Sequence, residues 1–245
     1  MVSAATFATL LQHPASPLAA LAGCTRLPRL PMGIAMGLTL TAIVYSPLGK
    51  RSGAHMNPAM TLTFFRLGKI SGGDACGYAA AQFLGGALGI LIASAALRGL
   101  PADPSVNYVA TVPGPGGAVV AFAAELVISF GMMALVLHAS NTPRLARYTG
   151  LYASALVALY ITFEAPLSGM SMNPARTFAP AVLSHSTGVL WIYFAAPALG
   201  MLAAAEWFVR SRGRHRVRCA KLHHVSTVRC IFHCGYAAQE TSVPA

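Results

Sequence analysis

Charge is what this chain has least of. Only 9% of its 245 residues are Asp, Glu, Lys or Arg, where a soluble domain carries about a quarter. With 56% hydrophobic residues and a mean hydropathy of +0.61, the chain is solvated largely by lipid. Acids are scarcest, six in all, and they form no pair in the apolar stretches. No serine–histidine set and no HExxH occurs there either, which argues against an enzyme. A proton-coupled carrier places several ionisable groups mid-span; here Glu125 stands alone. Segments alternating apolar and polar over about ten residues, the mark of a membrane barrel, are also missing. What is present instead is a set of apolar stretches near the roughly 20 residues that cross a bilayer as a helix: 31–48, 75–97, 117–139, 148–166 and 189–209. The expected fold class is all-α and membrane-embedded.

The formal charge of +11 would suggest nucleic acid in a soluble protein. Its distribution along these spans suggests a membrane orientation instead. Lys50, Arg51, Arg66, Lys69, Arg144, Arg147, Arg210, Arg212, Arg214, Arg216, Arg218, Lys221 and Arg229 fall on one side. Arg26, Arg29 and Arg98 fall on the other. By the positive-inside rule the first side is cytoplasmic. The chain is therefore expected in the cell's inner (plasma) membrane, multi-pass, with its C-terminus in the cytoplasm and no nucleic-acid partner.

The first apolar run, 1–11, is about half a span and meets a helix stop at Gln12-His13-Pro14. No basic residue precedes it, so it is a poor secretory signal. Leu21-Ala22-Gly23-Cys24 is a weak match to a lipoprotein cleavage box. The preferred reading is that Met1 lies midway along a first transmembrane helix.

Two segments carry the same short sentence. Residues 52–65 read SGAHMNPAMTLTFF and residues 168–181 read SGMSMNPARTFAPA, identical at seven of fourteen positions. A repeat on this scale implies two related halves, which in membrane proteins meet at the solute path. Asn57 and Asn173 are good N-caps, and Pro58 and Pro174 suit the first helical position. Each motif is thus expected to open a helix, over 58–67 and 174–183. Ten residues reach about 15 Å, half a bilayer. The charge argument puts the two motifs on opposite faces, so the half-helices are expected to abut at the midplane beside a water-lined path. Both N-termini bring partial positive charge there, which favours a small, neutral, hydrogen-bonding cargo over cations.

The two SG-x2-MNPA motifs, Arg176 directly after the second, Gly77-Tyr78 with Ala81-Gln82, and Glu125 resemble the aquaporin and aquaglyceroporin (major intrinsic protein) family over residues 1–209. The resemblance implies an aquaporin-like inverted repeat with two re-entrant half-helices, its first helix here shortened, and a homotetramer with one pore per subunit. It implies that Asn57, Pro58, Ala59, Asn173, Pro174 and Ala175 line the pore. Arg176, Met170, Ile161 and Gly37 (Met36 in a shifted register) would form the outer filter, and Glu125 would support the second half-helix. Ile161 stands where water-selective members often carry His, and Thr177 where glycerol facilitators carry Asp. The resemblance thus leaves water alone, or water with a small uncharged solute such as glycerol. Glu164 is read as a solvated residue of the outer mouth. Gly85 and Gly89, four residues apart, are read as a close helix contact.

Residues 210–245 form a basic cytoplasmic tail carrying C-x3-H-H-x5-C-x2-H-C. Thiolate and imidazole together suit zinc, and Cys219, His223, Cys230 and Cys234 are the candidate ligands; the alternative is a lipid-surface tail. No other cofactor is expected. A passive channel excluding protons and ions is the favoured function. The alternative is a non-conducting, shortened channel homologue serving as a scaffold or metal-sensing membrane protein.

Overall fold

Proline and capping residues set where the helices begin and end. A computed structural model of the chain describes residues 1–23, 27–224 and 228–236. Among these lie α1 (Val2–Gln12), α2 (Pro17–Gly23), α3 (Leu30–Tyr45), α4 (Pro47–Ser52), α5 (Pro58–Arg66), α6 (Gly72–Ala96), α7 (Gly117–Ser140), α8 (Thr149–Phe163), α9 (Ala165–Ser168), α10 (Pro174–Leu183) and α11 (Leu190–Arg212). The lipoprotein-like box ends at Cys24, which lies outside the described residues, as does Arg26.

Helix α1 stops at His13, ahead of Pro14, because the residue before a proline is disfavoured in the helical region. The same rule ends α3 at Ser46, ahead of Pro47. Ser46 then caps α4 by accepting from Gly49 N at 2.9 Å. Three of the expected spans, α6, α7 and the 187–212 stretch containing α11, are long and apolar enough to cross a membrane. Helices α3, with 16 residues, and α8, with 15, are shorter than expected. At about 1.5 Å per residue they reach about 24 and 22 Å. Beyond Glu164, α8 is continued only by the single turn α9.

The order α1, α3, α5, α6 recurs as α7, α8, α10, α11, and so does the packing. Helix α1 lies on α6 as α7 lies on α11, and each half-helix, α5 or α10, packs against both α6 and α11. Helices α3 and α8 pack across the middle. Small residues let these backbones approach. A Cβ at Gly33 would sit 2.6 Å from Ala158 O, and one at Gly37 would sit 2.9 Å from Ser154 O. Leucines and valines such as Leu38, Leu84, Val119 and Val127 face outward, giving an apolar exterior.

The expected glycine contact on α6 is displaced by one residue. Gly85 faces open space, whereas a Cβ at Gly86 would lie 2.8 Å from Ala175 O of α10. Successive helical residues point about 100° apart, so a shift of one selects a different neighbour. Gly89 packs against Met1.

Helix α11 runs on to Arg212, past the expected domain boundary at 209. The chain then folds back over the end of α5 and the start of α6. Val217, Cys219, Ala220, Leu222 and Phe232 are buried in the same apolar cluster as Met60, Phe64 and Met172. Tail residues 225–227 and 237–245 lie outside the described set.

Candidate functional site

Each motif begins with a turn that an ordinary residue resists. Gly53 and Gly169 have φ of 77° and 82°, the left-handed region glycine enters without a Cβ penalty. Ala54 and Met170 follow with φ of 59° and 51°, a costlier conformation that the surrounding contacts must hold. Asn57 and Asn173 are then extended and cap their helices. Asn57 Oδ1 accepts from Ala59 N at 2.9 Å. Asn173 Oδ1 accepts from Ala175 N at 3.0 Å and Arg176 N at 3.3 Å. Pro58 and Pro174 open the two helices.

The two motifs are tied to each other by their asparagines. Asn57 Nδ2 donates to Met172 O at 2.6 Å, and Asn173 Nδ2 donates to Met56 O at 2.7 Å. Each carbonyl precedes the opposite asparagine, so the bonds form a reciprocal pair. Two helix N-termini, each worth about half a positive charge, are thereby brought together.

Different groups brace the two loops. In the second, buried Glu125 accepts from Ser168 Oγ at 2.9 Å, Ser171 N at 2.6 Å and Met172 N at 2.7 Å. A carboxylate with three donors satisfies amides that would otherwise be stranded in an apolar interior. Tyr193 Oη adds a bond to Ser168 O at 2.6 Å. In the first loop the brace is neutral. Gln82 Nε2 donates to His55 O and to Thr61 Oγ1, both at 3.0 Å. His55 lies between Thr61 Oγ1 at 3.2 Å and Ala220 O of the tail at 2.8 Å.

Arg176, on the first turn of α10, is half-buried. Its Nη1 donates to Val109 O at 3.0 Å and to the buried Thr111 hydroxyl. Thr111 thus aims the guanidinium from the 97–116 connection, 65 residues away in sequence. Ile161 and Met170 belong to one apolar cluster. Gly37 packs against α8 at Ser154, and Met36 is half-buried. Glu164 is half-buried at the end of α8 rather than solvated.

The tail holds a second constellation. Ligand atoms of Cys219, His224, Cys230 and Cys234 all lie within 4.8 Å of one another. Cys219 Sγ is 3.4 Å from Cys230 Sγ, and Cys234 Sγ is 3.0 Å from His224 Nε2. The expected ligand His223 is replaced by its neighbour. Adjacent residues in a non-helical chain point to opposite sides: the His223 ring meets the edge of Tyr45 at 4.7 Å, while His224 stacks on Tyr236 at 3.9 Å. Burial, with the Cys230 and Cys234 thiols beside it, pushes the Cys219 thiol up, against the pull of the Lys221 N–H. Burial also raises the Tyr236 hydroxyl, with Arg218 working against it.

Sequence reasoning missed Met56, Met172, Val109, Thr111 and Ser171 as site partners, and it quoted Gln82 without its role in bracing the first loop. Backbone carbonyls carry no sequence signal. One signal was available: His55 and Thr61 align with Ser171 and Thr177, the same six-residue pairing in both repeats. Ser171 Oγ and Thr177 Oγ1 are hydrogen-bonded, as are His55 and Thr61.

An all-helical membrane fold of two inverted halves, with half-helices joined at their starts, defines a class of membrane protein. The major intrinsic protein model matches residues 6–208, and the chain belongs to that family. It is 40% identical to aquaporin NIP1-3 of Oryza sativa subsp. japonica, over 70% of this chain and 58% of the relative. It is 36% identical to aquaporin NIP2-3 of Zea mays, over 80% of this chain and 63% of the relative. The chain thus spans about three-fifths of these relatives. The X-ray structure of the aquaglyceroporin from Plasmodium falciparum has the same fold, with a TM-score of 0.64 and 20% identity, over 84% of this chain and 89% of that one.

Proposed function

We propose that this chain is a passive transmembrane channel for water and small neutral solutes such as glycerol, closed to protons and ions. The reading rests on one observation above all: the reciprocal bonds from Asn57 to Met172 O and from Asn173 to Met56 O. An amide nitrogen carries two hydrogens. One from each asparagine holds the opposite loop, and the other is offered to a passing oxygen. A water that accepts from both turns its hydrogens outward, which breaks the chain of hydrogen bonds that proton hopping needs. The two helix N-termini repel cations at the same point.

In this reading Pro58, Ala59, Pro174 and Ala175 shape the constriction, and Glu125 holds the second loop open. Arg176, with Met170, Ile161 and Gly37, forms the outer filter, where the guanidinium donates to solute and repels cations. Residues 1–209 form the channel domain and 210–245 its basic tail. The channel sits in the inner (plasma) membrane with the tail in the cytoplasm, as the charge asymmetry favours, and forms a homotetramer, as the family resemblance implies. Conduction needs no cofactor. The Cys/His cluster of the tail, whose chemistry suits zinc, is a separate binding function.

Osmotic swelling of proteoliposomes carrying the full chain tests the reading. Water permeability is expected at least about tenfold above empty vesicles, with a fall toward baseline on Asn57→Ala or Asn173→Ala. Inserted protein that swells no faster than empty vesicles would end it.

A further inference from the structure

The tail is where the family fold does not account for the residues. Three cysteines and a histidine converge there although the chain has only five cysteines in all. We propose that Cys219, His224, Cys230 and Cys234 bind one tetrahedral divalent metal ion of the zinc type. We further propose that this ion pins the tail against the loop leading into the first half-helix.

The donor set and its spacing carry the argument. Tetrahedral Cys3His is a closed structural zinc set, with Zn–S about 2.3 Å and Zn–N about 2.0 Å, which puts neighbouring ligand atoms about 3.5–3.8 Å apart. The pairs here stand at 3.4 Å and 3.0 Å, and all four lie within 4.8 Å. A central ion therefore requires shifts of a few tenths of an ångström along the two short edges and of up to about 1 Å along the longest. Thiolate-rich sites select soft or borderline metals over magnesium or calcium.

The surroundings hold the ligands as a metal site requires. Lys221 N donates to Cys219 Sγ at 3.5 Å. The His224 ring lies flat on Tyr236, 6° from parallel, and Tyr236 Oη is tied to Ser140 O at 3.0 Å. Gly235 N donates to Arg218 O at 2.7 Å, closing the two limbs of the tail on each other. A Cys219–Cys230 disulfide would need the sulfurs to approach to about 2.05 Å. In the cytoplasm, where the proposed orientation puts the tail, the reducing environment opposes that oxidation.

The same limbs reach the channel body. His55 meets Ala220 O at 2.8 Å, Leu222 N donates to Gly53 O at 3.3 Å, and Phe232 packs on the rings of His55 and Tyr78. The contacts with Gly53 and His55 fall two to four positions before Asn57, and the one with Tyr78 falls on α6. So short a segment cannot bury a core of its own, and a metal closing the knot adds a constraint to its packing on the channel body. The ion would thereby hold the tail against the entry to the first motif.

The test uses the full-length protein purified with its thiols reduced. Elemental analysis is expected to give about one zinc per chain. His223→Ala keeps it, while His224→Ala and Cys219→Ser each lower it at least about fivefold. Cobalt exchanged into the unaltered protein is expected to show the intense visible bands of tetrahedral thiolate coordination, a readout that does not depend on any variant folding. Pinning is read by trypsin: chelation should speed cleavage after the buried Lys221 several-fold. Zinc below about a tenth per chain, equal loss in the His223 and His224 variants, or an octahedral cobalt spectrum would each overturn the site. Cleavage after Lys221 unaffected by chelation would overturn the pinning. None of these readouts requires conduction, so the site can stand or fall apart from the channel reading.

Discussion

Asn57 and Asn173 each donate a side-chain hydrogen bond to the carbonyl that precedes the other, at 2.6 and 2.7 Å. Each also caps its own half-helix through Oδ1. One side chain thus does local and long-range work at once. The two repeats are joined through carbonyls that lie just ahead of each half-helix, outside its own hydrogen bonding.

Asn57→Ala removes a cap, worth about 1 kcal/mol, and strands the buried Met172 carbonyl at a further cost of about 1–3 kcal/mol. Thermal unfolding in detergent is expected to register a loss of about 2–4 kcal/mol. Because the bonds are reciprocal and adjacent, the Asn57→Ala/Asn173→Ala double variant should lose less than the sum of the singles. Strict additivity would mean that the two loops are not coupled.

Glu125→Gln exchanges one acceptor oxygen for a donor facing the amides of Ser171 and Met172. One N–H loses its partner, and the expected destabilisation is at least about 2 kcal/mol. Glu125→Asp, one methylene shorter, should recover part of it. Wild-type thermal stability for Glu125→Gln would show that the carboxylate is not the brace.

Gly86→Ala places a methyl 2.8 Å from the Ala175 carbonyl, at the first turn of α10. Overpacking of this kind costs about 1–3 kcal/mol and should displace the second motif, lowering swelling rates along with thermal stability. Gly85→Ala, directed into open space, is the control and should be neutral or slightly stabilising, since alanine is the better helix former.

Arg176→Lys keeps the charge but loses the planar fork that reaches Val109 O and Thr111. Arg176→Ala loses both. In vesicles loaded with a pH-sensitive dye, proton leak is expected to rise most for Arg176→Ala and little for Arg176→Lys. Equal leak in the two would separate ion exclusion from the charge itself.

Local signals in the chain were reliable for helix starts and poor for helix neighbours. Asn-Pro marks the N-termini of α5 and α10 because capping is decided within four residues. The shortening of α3 follows from Pro47, which composition averages hide, and α8 is broken at Glu164, before the turn α9 that contains Pro166. Gly86 rather than Gly85, and His224 rather than His223, were not legible. Which of two adjacent residues faces inward depends on the rotation of a helix, or the turn of a loop, about a partner remote in sequence.

By itself the sequence determined the class of this protein: an apolar, charge-poor chain with a doubled half-helix start, because lipid solvation and backbone capping are local demands. Only the tertiary structure decided how the halves hold together. The carbonyls of Met56 and Met172, the hydroxyl of Thr111 and the folded-back tail are all brought in from far along the chain. A hydrogen bond to a distant backbone leaves no trace in the residue that accepts it.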